Sequence, residues 1–276
     1  MPLHRLLALA LTLSLSATLA LAETATLRRA DGAGVTVRLS GDWSGGCPPT
    51  VILSHGLGGD EQALGWMDGA AAAAGYRVLV MAHAESGPPL LRRAFREGAG
   101  VLLDPGPWLA RAADLDAAIS FAARDCRPRV LVLGGHSMGA GQTMFEAGAR
   151  GRPPYPGADR FDAYIAVSPQ GLGWAFASRN AWRGVDKPVL MLTGTRDDGF
   201  GGETWEDRLV AFKGLPPGRK RLAVIEGATH FHLGGRGNRA AQAQMAAVAA
   251  EFLRDLEGGW APSTLGDSRG IRITEK

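Results

Sequence analysis

Several things are scarce or missing in these 276 residues, and each absence closes off a class of function. No run of Lys and Arg suits a nucleic-acid backbone, and a net charge of +3 is small for this length. No G-x-G-x-x-G spacing or phosphate-loop lysine marks a nucleotide site. No EF-hand spacing is present either, so the acidic group Asp197, Asp198, Glu203 and Glu206 reads as a solvated loop rather than a calcium site. Internal repeats and long linkers are missing. Cysteine is scarce: Cys47 and Cys126 are an isolated pair, which in an oxidising compartment reads as a disulfide rather than a metal site or nucleophile.

Long apolar runs are scarce as well. Leu6–Leu21 is almost wholly apolar, but it is short for a membrane span of about 20 residues, and no second anchor follows. His4 and Arg5 precede it, and Ala20-Leu21-Ala22 supplies the small-x-small pattern of a cleavage site. Residues 1–22 therefore read as a signal peptide, cleaved after Ala22. The mature protein is expected to be secreted or periplasmic, without a stable membrane anchor. Residues 23–276, in a chain that is 46% hydrophobic and 21% charged, suffice for one domain with a large core.

What is there is a regular alternation. Ala25–Arg29 and Val35–Ser40 read as a hairpin turned by Asp31-Gly32-Ala33-Gly34. Six continuous apolar runs follow: Thr50–Ser54, Tyr76–Ala82, Arg129–Gly134, Ala163–Val167, Pro188–Thr193 and Arg221–Ile225. Such runs suit strands covered on both faces. Helical stretches separate them, one presenting Trp108, Leu115, Ile119 and Ala122 on a single face, the last presenting Met245, Val248, Phe252 and Leu256. The pattern predicts an α/β fold with a mostly parallel central sheet, helices on both faces and antiparallel strands at the N-terminus. Ser86–Pro107 reads as a Gly/Pro-rich loop carrying Arg92, Arg93 and Arg96. Ser168–Asp186, which carries Trp174, Phe176 and Trp182, is too short for a large lid domain.

Chemistry concentrates at the ends of these strands. Gly135-His136-Ser137-Met138-Gly139 matches G-x-S-x-G, a weak signal alone, since 39 glycines and 12 serines give about 0.24 chance matches. Its context strengthens it. A strand precedes the motif and a helix follows, the reversal that sets a serine nucleophile in a strained turn with its hydroxyl at the sheet's edge. The flanking glycines avoid a Cβ clash with the neighbouring helix and strand. Ser54-His55-Gly56-Leu57-Gly58-Gly59 follows an earlier strand, so the N–H groups of Leu57 and Met138 form a candidate oxyanion hole.

A base and an acid complete the array. Of six histidines, His4 lies in the leader, His55 and His136 pack and bond the two motif turns, and His83 ends a strand near the cleft. His230 and His232 follow the run Arg221–Ile225, and His230 is favoured as base because it sits near the strand end on a short loop led by Gly227. In the fold that sets a serine in such an elbow, the acid follows the serine and precedes the histidine in the chain. Asp197 fits a Gly-x-x-Asp spacing off a strand end, with Asp198 as the alternative. Leu57, Ser137, Asp197 and His230 all fall beyond the carboxyl ends of parallel strands, where open α/β sheets place their sites. The segment Ser86–Pro107 should border that cleft, with Arg92 and Arg93 as basic substrate contacts and Trp174 on an apolar wall opposite.

With these motifs in place, the chain from about Thr50 to Leu233 resembles the α/β-hydrolase superfamily. Leu53–Gly59 and Gly135–Gly139 are similar to the dienelactone-hydrolase-like, platelet-activating-factor-acetylhydrolase-like and polyester-hydrolase branches. Dienelactone hydrolases carry a cysteine where Ser137 stands here. The resemblance implies hydrolysis of a small-molecule or polymeric carboxylic ester through an acyl-enzyme, with no cofactor and no metal. A serine peptidase or amidase is the alternative, and a non-catalytic binding protein on the same scaffold a further one. In this fold the strands after Cys47 and Cys126 are expected to be neighbours, which would bring the two cysteines together at the edge opposite Ser137.

Overall fold

The computed structural model describes residues 22–199, 202–266 and 270–276, so the expected leader, apart from Ala22, lies outside the described residues. Among the described residues nine strands form one mixed sheet: β1 (Glu23–Arg28), β2 (Gly34–Ser40), β3 (Thr50–Ser54), β4 (Arg77–Met81), β5 (Leu131–His136), β6 (Ala163–Val167), β7 (Val189–Arg196), β8 (Lys220–Thr229) and β9 (Ile271–Glu275). Their order is β1-β2-β4-β3-β5-β6-β7-β8-β9. β3 to β8 run parallel, while β1, β2 and β9 are antiparallel to their neighbours. The β1–β2 turn closes with Gly32 at φ 83°, a left-handed conformation that glycine adopts without penalty.

The helices are α1 (Trp66–Ala73), α2 (Pro88–Glu97), α3 (Pro105–Ala122), α4 (Met138–Glu146), α5 (Trp205–Gly214), the single turn α6 (His230–Leu233) and α7 (Arg239–Gly258). They build two cores. Ile52 of β3 and Tyr164 and Ala166 of β6 face the core shared with Trp108 and Leu115 of α3, Phe145 of α4 and Phe212 of α5. Val51, Leu53, Ala163, Ile165 and Val167 face the other, shared with Met67 of α1 and Met245, Val248 and Phe252 of α7. Successive strand residues point to opposite faces, and here both faces are covered, so the strand sequences are apolar throughout.

Two features differ from the sequence expectation. The segment 86–107 is helical: α2 starts with Pro88 and Pro89 in its first turn, where a missing N–H is harmless and the fixed φ favours the helix. Proline there starts a helix instead of interrupting one. The second feature is β9, whose alternating Ile-Arg-Ile-Thr-Glu caps the sheet against β8.

Cys47 and Cys126 form a disulfide with their Cα atoms 5.7 Å apart. They precede β3 and β5, which pair directly from Thr50 with Leu131. The bridge thus ties the amino ends of two central strands, at the opposite end from Ser137.

Candidate active site

Ser137 stands between β5 and α4 with φ 54° and ψ −116°, a conformation side-chain-bearing residues rarely hold. Its surroundings impose it. The Ser137 N–H donates to the Val167 carbonyl of β6 at 3.0 Å, while its carbonyl accepts the Gly141 N–H of α4 at 3.0 Å. A Cβ on Gly139 would come within 2.1 Å of the Ser54 carbonyl, and one on Gly135 within 2.3 Å of the Gly139 carbonyl. Backbone meets backbone at both places, so neither neighbour can yield. Those two glycines let α4 pack down onto β3 and β5, which forces the sharp turn at the serine.

The loop after β3 presses on the same turn. A Cβ on Gly56 would lie 3.1 Å from the Ser137 Cβ. His55 is buried; its Nδ1–H donates to the Gly56 carbonyl at 2.5 Å, and its Nε2 accepts the His83 N–H at 2.9 Å. Both ring nitrogens are committed, so the ring is neutral, and burial with the Arg111 charge nearby holds its pKa well below the usual range. In a trans peptide unit the carbonyl and the following N–H point in opposite directions. Holding the Gly56 carbonyl on His55 therefore aims the Leu57 N–H away from His55. Leu57 and Met138 both line the cavity that contains Ser137. Met138 opens α4, so its N–H has no acceptor one turn back.

His230 and Asp197 meet across the ends of β7 and β8. The His230 Nδ1 lies 2.8 Å from Asp197 Oδ1, and Asp197 is fully buried. His232 instead turns back to its own helix cap, where its Nδ1 accepts the Thr229 N–H at 3.3 Å. Asp198 is exposed on the cavity rim with no bond to His230. His136 ties the elbow to the histidine turn: its Nε2–H donates to the His230 carbonyl at 3.0 Å.

Three further groups hold the carboxylate, none of them singled out from the sequence. The Ser168 hydroxyl donates to Asp197 Oδ1 at 2.9 Å and its oxygen lies 2.9 Å from His230 Nδ1. The Thr193 hydroxyl donates to Oδ2 at 2.9 Å. Arg208 of α5, itself buried, places its Nε 2.9 Å from Oδ2 and 2.9 Å from the Asp197 carbonyl. A sequence signal for Arg208 exists: Arg208, Ala211, Phe212 and Leu215 recur at helical spacing, leaving one charge inside an apolar stripe.

Ser137 and His230 line one cavity of about 470 Å³, a size common for small-molecule sites. Its wall includes Leu57, Leu91, Leu102, Met138 and Trp174, with Phe95 and Phe231 exposed at the mouth. The expected basic contacts are not on this wall. Arg92 and Arg93 do not line the cavity, and neither does Arg96; Arg93 pairs with Glu97 at 2.9 Å and Asp104 at 2.6 Å instead. Because this segment is a helix, positions four apart share a face, so Leu91 and Phe95 turn inward and the arginines between them turn out. Phe176 and Trp182 are fully buried in the core, so only Trp174 of the three aromatics reaches the wall.

His83 does not reach the cleft either. It is buried under it, with Nδ1 2.7 Å from Asp114 Oδ2 and Nε2 3.0 Å from Ser54 Oγ. Ser54, His83 and Asp114 thus form a second Ser-His-Asp array, at most 1% exposed at each residue. Sealed from the cavity, it braces the loop carrying Leu57 through the His83 N–H bond to His55 Nε2.

No protein-family model matches the sequence, and no curated protein matches it. Solved structures do. An esterase domain from Rhodothermus marinus is 16% identical, covering 85% of this chain and 98% of that one, with a TM-score of 0.56. A protein from Klebsiella pneumoniae described as a dienelactone hydrolase is 16% identical over 84% and 98%, with a TM-score of 0.61. A cold-adapted esterase from an Arctic intertidal metagenomic library is 20% identical over 83% and 92%, with a TM-score of 0.57. At such identities the likeness concerns architecture, and it agrees with the strand order and the strained serine: this chain has the α/β-hydrolase fold.

Proposed function

We propose that the protein is a serine hydrolase that cleaves carboxylic esters through an acyl-enzyme, with Ser137 as nucleophile, His230 as base and Asp197 as acid. The observation that carries this reading is the 2.8 Å contact between His230 Nδ1 and a buried Asp197, at a cavity that Ser137 in its strained elbow conformation also lines. Asp197 would hold the imidazole with Nδ1 protonated, leaving Nε2 free to take a proton.

In the first step the Ser137 hydroxyl attacks the ester carbonyl, and His230 accepts its proton. The oxyanion is met by the N–H groups of Leu57 and Met138, which are in place before charge develops. His230 then protonates the departing alkoxide, leaving an acyl-Ser137 ester. Water attacks that ester as His230 removes its proton, and the acid product leaves with Ser137 restored.

We place this chemistry outside the cytoplasm, after removal of residues 1–22. The Cys47–Cys126 disulfide suits an oxidising compartment. Among the described residues no helix is long and apolar enough to cross a membrane. The direct experiment is a fluorophosphonate label followed by peptide mapping, together with p-nitrophenyl esters and matched anilides. Labelling at Ser137 with ester turnover is the expected result. Anilide turnover exceeding ester turnover would make it an amidase, and absence of labelling would remove the catalytic reading.

A further inference from the structure

The carboxyl end of β6 touches both halves of the site. The Val167 carbonyl accepts the Ser137 N–H at 3.0 Å, and the next residue, Ser168, meets the acid and the base. Ser168 has φ 56°, in the left-handed region that side chains rarely adopt and glycine enters freely. Its N–H donates to the Leu192 carbonyl of β7 at 2.7 Å, and its carbonyl accepts Arg208 Nη1 at 3.3 Å, so the strained backbone is held from two sides. A glycine would stand there without strain, yet the chain carries a serine. An outlier of this kind beside an active site calls for a role for its side chain.

The hydroxyl has two contacts that define such a role. Ser168 Oγ, Asp197 Oδ1 and His230 Nδ1 form a triangle, with 2.9 Å from Oγ to Oδ1, 2.8 Å from Oδ1 to Nδ1 and 2.9 Å from Nδ1 to Oγ. A hydroxyl has one proton and two lone pairs. The Ser168 proton goes to Oδ1, since a carboxylate is the stronger acceptor. What Oγ turns toward Nδ1 is then a lone pair, and that contact is a hydrogen bond only when Nδ1 carries the hydrogen. One neighbour pulls the other way. Arg208 Nη2, a donor, lies 3.4 Å from Nδ1 and suits a ring with Nδ1 bare and the hydrogen on Nε2. A ring in that tautomer has no lone pair on Nε2 to receive the Ser137 proton.

We propose that Ser168 is a positioning residue that keeps the hydrogen of His230 on Nδ1 against the pull of the Arg208 guanidinium. This rests on the reading of His230 as the base of an ester hydrolase and goes beyond it. Ser168 is fully buried and does not line the cavity, so it acts through His230 and not on the substrate. Without the hydroxyl, Asp197 alone opposes Arg208, and fewer molecules hold the imidazole in the competent tautomer. A smaller competent fraction lowers kcat and leaves KM in place.

Ser168→Ala and Ser168→Gly test this by separating the hydroxyl from the backbone. Both remove the hydroxyl, but only glycine relieves the left-handed strain, so Ser168→Gly is expected to unfold at higher urea than Ser168→Ala. With a p-nitrophenyl ester, kcat is expected to fall about tenfold in both variants alike, the loss of roughly one hydrogen bond, with KM within about twofold of wild type. Nitrogen-15 NMR of histidine-labelled protein is expected to show the His230 hydrogen on Nδ1 in wild type and an increased share on Nε2 in Ser168→Gly. Turnover that follows stability, with glycine restoring what alanine loses, would make Ser168 a backbone support and overturn the inference. So would a kcat within about threefold of wild type in both variants, a loss confined to KM, or an unchanged tautomer. Each of those results leaves ester turnover by wild type, and the hydrolase reading with it, intact. If wild type cleaves no ester and Ser137 resists labelling, the hydrolase reading has failed and the inference falls with it.

Discussion

Arg208 and Asp197 form an ion pair closed to solvent on both sides, with side chains 1% and 0% exposed and 2.9 Å between Nε and Oδ2. Such a pair returns little net stability, because both ions were taken out of water, but breaking it by removing one partner is costly. It has a geometric consequence for the site. With Oδ2 held by Arg208 and Thr193, Oδ1 is the oxygen left for His230, so the imidazole is oriented by a carboxylate that cannot rotate.

Neutralising the acid is therefore expected to damage activity and stability together. Asp197→Asn should lower kcat by about 10⁴, and should also lower the denaturation midpoint because Arg208 is left charged and unpaired. Asp198→Asn, altering an exposed carboxylate with no bond to His230, should change kcat by less than about tenfold. Steady-state kinetics and urea unfolding of both variants check this, and the reverse ranking would reassign the acid.

Ser137→Ala should abolish ester turnover, with kcat reduced by several powers of ten, while the unfolding transition moves little. The residue remains in the same elbow, and its backbone bonds to Val167 and Gly141 do not involve the side chain. Activity within tenfold of wild type would exclude Ser137 as nucleophile.

The disulfide is expected to act on stability alone. It closes a loop with a sequence separation of 79, for which chain entropy gives a contribution of about 4.5 kcal/mol. Cys47→Ser with Cys126→Ser should lower the unfolding free energy by an amount of that order and leave kcat/KM within about twofold, since the bridge lies at the far end of β3 and β5. Denaturation with and without reductant provides the comparison.

Asp114 should make stability pH-dependent in an unusual direction. Burial raises its pKa from 3.8 to about 6, although the hydrogen bond and charge of Arg29 oppose the shift. A carboxyl raised on folding contributes stability that is fully present below about pH 4 and is lost as the pH rises through about 6. The unfolding free energy of wild type relative to Asp114→Asn is thus expected to fall between pH 4 and 6 and to level off above 7. Urea titrations across pH 4–8 measure it, and a difference that rises over that window would show that Arg29 dominates.

How much of this was legible in the sequence depended on whether the signal was local. The strands Thr50–Ser54 and Ala163–Val167 occupy in the structure the same bounds as their apolar runs, because continuous burial on two faces leaves a one-dimensional mark. The elbow was legible because its two glycines stand within one five-residue motif. Only Gly135 is demanded by a local clash, with Gly139, whereas Gly139 is demanded by the Ser54 carbonyl of β3. The segment 86–107 misled, since Pro88 and Pro89 read as loop formers unless their place in a first helical turn is known. Once it is a helix, the side chains on its two faces exchange roles, and Leu91 and Phe95 take the cavity wall assigned to Arg92 and Arg93.

The sequence by itself determined the alternation of strands and helices, the serine set between glycines at a strand-to-helix turn, and the placing of Asp197 and His230 after later strands. Each leaves its mark in periodicity or in a motif a few residues long. Tertiary structure alone decided that Asp197 rather than Asp198 turns inward, that Ser168 and Arg208 join it, and that His83 is sealed beneath the cleft. Those outcomes depend on how residues 11 to 31 positions apart pack against one another, as in Arg208 with Asp197 or His83 with Asp114. Packing at that range is set by the volumes and hydrogen bonds of the assembled core, which no local pattern along the chain encodes.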